Sequence, residues 1–233
     1  MKVLNFDTYK EMSKAAAEIF LNQVSKKPES VFGFATGSTP IGLYNELAES
    51  GADFSKVTTF NLDEYYGLEG THEQSYRAFM NRNLFDRINI KKENTNVPNG
   101  LATDVEAMCD KYDADIKAMG GIDIQLLGIG HNGHIGFNEP DDCFTAPTHK
   151  VTLDQKTIDA NSRFFESSDD VPRYAITMGM YSIMNAKKIV MVVNGKDKME
   201  ILEKSVNGPI TPNVPASILQ LHGDVTVFYT EEK

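Results

Sequence analysis

Apolar and polar positions fall in blocks along the chain, and the blocks switch period repeatedly. Val3 to Phe6 reads as a short strand. Thr8 and Glu11 then stand at capping-box spacing, and Met12, Ala16, Ile19 and Phe20 recur at helical period, which predicts a helix with one apolar face. Val31 to Ala35 is a buried-strand run, followed by a glycine-bearing turn and a helix from Pro40 to about Glu49. Val57 to Leu62 predicts a strand and Ser75 to Ile88 a helix. Asp104 to Met119 predicts a long helix stopped by Gly120 and Gly121, and Ile122 to Leu127 an apolar strand. A strand from Lys188 to Val193, a helix from Lys196 to Val206, a short helix near Ala216 to Leu221 and a strand from Val225 to Tyr229 complete the series.

This order predicts an α/β fold: a doubly wound, Rossmann-like, mostly parallel sheet with helices on both faces. No internal repeat, low-complexity tract or Pro/Ser-rich linker interrupts it, so residues 1–233 read as a single domain. In open sheets of this kind ligands bind beyond the carboxyl ends of the strands. That rule singles out the segments after Ala35, Leu62 and Leu127, and all three carry unusual polar clusters.

Composition narrows the partners. A formal charge of −10 argues against nucleic acid, whose phosphates are met by excess Lys and Arg. A few convergent cations still suffice for an anionic metabolite. Two cysteines, Cys109 and Cys143, make no disulfide framework, which fits a reducing compartment. The amino-terminal residues turn polar before a signal-peptide core forms, and no run approaches the ~20 apolar residues of a membrane span. The expectation is a cytoplasmic protein without a membrane partner.

The first cluster is Thr36-Gly37-Ser38-Thr39-Pro40. Gly37 lets backbone approach a ligand, Thr39 is placed to cap a helix, and Pro40 suits its first turn. Free N–H groups at such a helix start favour an anion, most simply a phosphate; an ordinary strand-to-helix turn is the plainer reading. The second cluster is Asn61-Leu62-Asp63-Glu64-Tyr65-Tyr66. One of its two carboxylates, partly desolvated, would make a proton acceptor beside a substrate carbon, whereas the plainer reading is a solvated turn. The third runs from Gly128 to Pro140 and contains His131, Asn132, His134 and Glu139. His134 and Glu139, five residues apart, form a base and its orienting carboxylate if the loop folds back. His131 reads as a loop residue, and no further Cys or His cluster supplies a third metal ligand.

Together these segments closely resemble the glucosamine-6-phosphate deaminase (glucosamine/galactosamine-6-phosphate isomerase) family over nearly the whole chain. The resemblance is carried by Thr36 to Pro40, Phe60 to Tyr65, Gly128 to Pro140, Ala160-Asn161-Ser162-Arg163-Phe164-Phe165 and Leu219-Gln220-Leu221-His222. The wider superfamily includes 6-phosphogluconolactonases and ribose-5-phosphate isomerases, which share the glycine-rich anion loop. It is the Asn-x-Asp-Glu-Tyr and Phe-Asn-Glu-Pro segments that look like the deaminase.

The resemblance implies conversion of glucosamine 6-phosphate to fructose 6-phosphate and ammonia without a cofactor or metal. His134, oriented by Glu139, would open the sugar ring, and Asp63 would move the C2 proton to C1. Thr36, Gly37, Ser38 and Thr39 would cradle the phosphate, with Arg163 and Lys198 as counter-charges. Asn132 stands where many members have Asp; a neutral amide cannot take a proton, so Asn132 is expected to position substrate. His149 and Val151 occupy positions where regulated relatives carry an Arg and a Lys. His149 and Val151, with a sequence that stops at Lys233 without the longer tail of those relatives, imply no activation by an N-acetylated sugar phosphate and a monomer or small homo-oligomer. The segment from Leu153 to Ala175, which contains Arg163, is a candidate lid. Competing readings are a lactonase or isomerase acting on another sugar phosphate, and a catalytically silent sensor.

Overall fold

The computed structural model describes residues 1–155, 158, 159, 162, 165, 167 and 171–232. Its centre is a seven-stranded sheet built from β1 (Lys2–Asn5), β2 (Val31–Phe34), β3 (Thr58–Asn61), β5 (Thr95–Asn96), β6 (Ile124–Leu127), β9 (Lys188–Asn194) and β10 (Val225–Thr230), in the order β1-β10-β9-β6-β2-β3-β5. Every pairing in it is parallel. The strands read as apolar runs because both faces are covered. Along β2, Phe32 and Phe34 join one core with Met12, Phe20, Leu43 and Tyr44, while Val31 and the adjacent Ala35 join the other with Tyr112, Ile116, Met191 and Leu202.

Helices α1 (Tyr9–Lys26), α2 (Ile41–Glu49) and α3 (Tyr76–Asn83) lie on the first face; α4 (Val105–Ala118), α5 (Met180–Met184) and α6 (Met199–Asn207) lie on the second. The Thr8–Glu11 capping box forms at the start of α1, and Met12, Ala16, Phe20 and Val24 make its buried stripe. Gly120 and Gly121 end α4 with positive φ. The predicted helix over Ser75–Ile88 ends at Asn83, and Phe85–Arg87 continues it only as a 3-10 turn. Likewise Lys196–Lys198 is a 3-10 turn before α6, and Pro215–Leu221 is 3-10 throughout.

A second, three-stranded antiparallel sheet is the main departure from expectation. It joins β4 (Asp63–Tyr65), β8 (Tyr174–Thr177) and β7 (His149–Thr152), with Asp63 opposite Thr177. Leu62 is the hinge between the sheets: its N–H donates to Phe34 O at 2.9 Å, and its carbonyl accepts Met178 N at 2.6 Å. The chain therefore leaves the parallel sheet at Asn61 and enters the small one at Asp63.

At the opposite, amino end of the strands, Asp123 ties three of them together. It accepts from Lys27 Nζ and Lys187 Nζ, each at 2.7 Å at closest, and from Val31 N at 2.8 Å. Burial pushes its carboxyl up, but the bonds from Lys187, Lys27 and Val31 outweigh this and leave it below the usual range. A carboxyl depressed by folding stabilises above its unfolded value of about 3.9, and that contribution is lost as pH falls through the folded value. Asp123→Asn is expected to cost roughly 1–3 kcal/mol at pH 7, with the deficit narrowing below about pH 4. Thermal denaturation at both pH values checks this.

Candidate active site

The strand order reverses between β2 and β6, since the chain moves outward to β3 from one and to β9 from the other. In doubly wound sheets a crevice opens at such a point, beyond the strands' carboxyl ends. Residues 36–40 follow β2 there and residues 128–140 follow β6.

In the first loop Gly37 has φ 104°, which side chains rarely tolerate, and a β-carbon at Gly37 would meet nothing within 4 Å. The N–H groups of Gly37, Ser38 and Thr39 make no hydrogen bond among the described residues. Thr39 is not the helix cap. Pro40 holds that position in helical conformation with no side-chain bond, and the Thr39 hydroxyl instead donates to Asn194 Oδ1 at 2.6 Å at the end of β9. The side chain of Thr36 lies beside the hydroxyl of Tyr76.

The Asp63–Glu64 pair is not a solvated turn. Both carboxylates sit in β4, 6% and 2% exposed. Glu64 is satisfied by backbone: Oε1 accepts from Tyr65 N and Tyr76 N, and Oε2 from Arg77 N at 2.9 Å, at the positive start of α3. Asp63 has no hydrogen bond or ion pair to its carboxylate among the described residues. Burial first, and the neighbouring Glu64 second, push its carboxyl well above the ordinary range. Tyr44, Tyr65, Tyr76 and Tyr112 lie within electrostatic reach, and burial keeps each phenol protonated, Tyr65 at about 12.

The third loop folds back on itself. Gly130 N donates to His134 O and Gly133 N to Gly130 O, so the imidazole lies over Gly130; a β-carbon there would come within 2.2 Å of Nε2. His134 Nδ1 meets Glu139 Oε2 at 3.1 Å. A carboxylate only accepts, so Nδ1 carries the hydrogen and Nε2 offers its lone pair. The amide of Asn132 donates to the same Oε2 at 2.6 Å, while its oxygen accepts His134 N at 3.2 Å. Asn132 thus braces Glu139 and the loop backbone. Gly136, two residues on, brings this loop against Asp63: a β-carbon at Gly136 would stand 3.5 Å from Asp63 Oδ2 and 2.8 Å from Thr177 Oγ1.

Lys198 Nζ donates to Ile129 O at 2.9 Å, and burial pulls its ammonium down to about 8, partly offset by Asp197. The Thr39–Asn194 bond holds the strand that leads to Lys198 against the first loop. His131 is exposed and meets Asp197 Oδ2 at 2.9 Å, away from the imidazole of His134. Arg163 lies outside the described residues. Behind Glu139 opens a cavity of about 430 Å³, with His149, Val151 and Cys143 in its wall. Tyr9 and Asn194, which hold the first loop, carry no signal in the sequence: both sit inside ordinary helix and strand patterns.

A profile of the glucosamine-6-phosphate isomerases/6-phosphogluconolactonase family matches residues 7–228. The glucosamine-6-phosphate deaminase of Lachnoclostridium phytofermentans is 60% identical over 97% of this chain and 98% of its own. That of Clostridium novyi is 56% identical over 100% and 98%. The solved structure of a monomeric glucosamine-6-phosphate deaminase superposes with a TM-score of 0.96 at 45% identity, covering 100% of this chain and 98% of that one. A 6-phosphogluconolactonase from Thermotoga maritima gives 0.76 at 19% identity over 98% of both, a likeness of fold alone.

The isolation of Asp63 has a thermodynamic consequence. Its carboxyl is raised in the fold, so ionising it works against folding: stability is greatest below the unfolded value and declines as pH rises toward the folded one. Asp63→Asn is therefore expected to raise the melting temperature at pH 7, by a margin that shrinks on acidification. Equal melting curves at both pH values would contradict the burial described.

Proposed function

The chain belongs to the glucosamine-6-phosphate isomerase/6-phosphogluconolactonase family, and we propose that within it the protein deaminates and isomerises glucosamine 6-phosphate to fructose 6-phosphate and ammonia. The observation that carries this reading is an uncompensated, buried carboxylate, Asp63, packed against the loop that holds an oriented His134–Glu139 pair. The high identity to deaminases supports it over a lactonase, which would need a water nucleophile but no base at C2.

In this reading His134 Nε2 takes the proton of the C1 hydroxyl and returns one to O5, opening the ring to an aldehyde. Glu139 holds the imidazole in the tautomer that allows this, and Asn132 holds Glu139. The exposed carbonyl acidifies C2, and Asp63 removes that proton, giving an enolamine. Reprotonation at C1 leaves an imine at C2; water adds there and ammonia departs, leaving the ketose. No cofactor is required, because the substrate's own carbonyl stabilises the charge. Each such proton transfer contributes roughly 10²–10⁴-fold.

The phosphate is read as lying on the N–H groups of residues 37–39, with Thr36 at its edge and Lys198 and Arg163 as cations. Among the described residues neither Arg nor Lys lines the cavity behind Glu139, which supports a lack of activation by an N-acetylated sugar phosphate. No helix among the described residues is long and apolar enough to cross a membrane. A cytoplasmic, single-domain enzyme of monomeric or small homo-oligomeric form is the accompanying reading, and it finds support in the likeness to a monomeric deaminase.

Incubation with glucosamine 6-phosphate alone should yield ammonia and ketose phosphate in equal amounts. Asp63→Asn should abolish both that turnover and exchange of the C2 hydrogen with solvent, and persistent exchange would remove Asp63 as the base. Lys198→Ala should raise KM roughly 10- to 100-fold with a smaller change in kcat. In the unaltered enzyme KM should climb as pH passes about 8 and the ammonium loses its proton, a limb that the Ala variant should lack.

A further inference from the structure

The hydroxyl of Tyr9, from the first turn of α1, lies on the anion loop. It reaches Thr39 O at 2.8 Å and Ser38 O at 3.2 Å, and Gly42 N donates to it at 2.7 Å. One hydroxyl hydrogen is thus shared by two carbonyls while a lone pair takes an N–H from the first turn of α2. The seat for the ring exists because residue 42 is glycine: a β-carbon there would come within 2.9 Å of Tyr9 Cε1 and 2.3 Å of Ser13 Oγ. The backbone N–H of Tyr9 is itself held by the Glu232 carboxylate, so this end of α1 is anchored.

A trans peptide points its carbonyl and its N–H in opposite directions. The Ser38 carbonyl and the Thr39 N–H share one such plane, and the described residues have no cis peptide bond. Fixing the Ser38 carbonyl on Tyr9 therefore fixes the Thr39 N–H toward the other side of the loop. The same contact occupies the Gly42 N–H, which leaves the N–H groups of residues 37–39 as the open donors. Carbonyl oxygens repel a phosphate, so a loop free to rotate its peptide planes would lose both aim and affinity.

We propose that Tyr9 is a positioning residue for the substrate phosphate, turning the carbonyls of Ser38 and Thr39 outward so that the loop presents donors only. The proposal rests on the reading of residues 36–39 as the phosphate cradle. It concerns a side chain that touches no substrate and acts through the backbone it holds.

Tyr9→Phe removes the hydroxyl and keeps the ring, and it can be compared with the unaltered full chain by three measurements. Steady-state kinetics should show KM for glucosamine 6-phosphate raised about tenfold with kcat within about twofold, the size expected for loss of one or two net hydrogen bonds. Calorimetric titration with inorganic phosphate should show a parallel loss of affinity, and the melting temperature should move by only a few degrees. Unchanged phosphate affinity and KM, or a fall in kcat at constant KM, overturns the proposal. If the unaltered chain binds phosphate but releases no ammonia, the deaminase reading fails, and the titration of Tyr9→Phe still decides the role of Tyr9. If the unaltered chain binds no phosphate, the cradle falls and the proposal with it.

Discussion

Taking a carboxylate out of water without supplying a cation is among the more expensive things a fold can do, costing several kcal/mol even after relaxation. The chain does this to Asp63 by geometry. Leu62 is bonded to both sheets, so the next residue must leave the parallel sheet and enter β4, where its side chain faces protonated phenols and the backbone of the third loop. Glu64, one residue on, is buried as deeply and receives three backbone donors. Two adjacent acids thus have opposite fates, one used to anchor a helix and the other left basic. A carboxylate kept short of partners regains stabilisation only by accepting a proton.

The remaining parts of the site are arranged around that carboxylate by strand order. The reversal between β2 and β6 brings the loop at residues 36–40 and an imidazole loop to one crevice, and the β3–β4 hinge delivers Asp63 beside them. The imidazole loop is tightened by its own hydrogen bonds. Asn132 contributes to that tightening as a donor to Glu139, a task an aspartate could not perform while both were ionised. The amide thereby restricts Glu139 to accepting, and the imidazole tautomer follows from it.

Much of this was legible in the residues. Helix and strand periodicity located the parallel sheet, the capping box located α1, and the carboxyl-end rule located all three loops. What escaped was short or non-local. β4, β7 and β8 are three or four residues each, too brief for a period to register, and the β4–β8 pairing joins segments that lie far apart in the chain, Asp63 opposite Thr177. The neighbours of Thr39 predict a cap, whereas its hydroxyl is claimed by Asn194 from a strand near the other end of the chain. At Asp63 and Glu64 the local pattern allows both a desolvated carboxylate and a solvated turn, because burial is imposed by tertiary contacts that no local pattern encodes.

The Asp123 junction with Lys27 and Lys187 closes the amino ends of the strands, a full sheet-length from the crevice. Among the described residues no side chain takes part in both. The two poles act on durability with opposite signs: the paired carboxylate at the amino ends adds to it, and the solitary one in the crevice subtracts from it. Heat resistance bred at the first pole therefore offsets, without removing, the burden carried at the second.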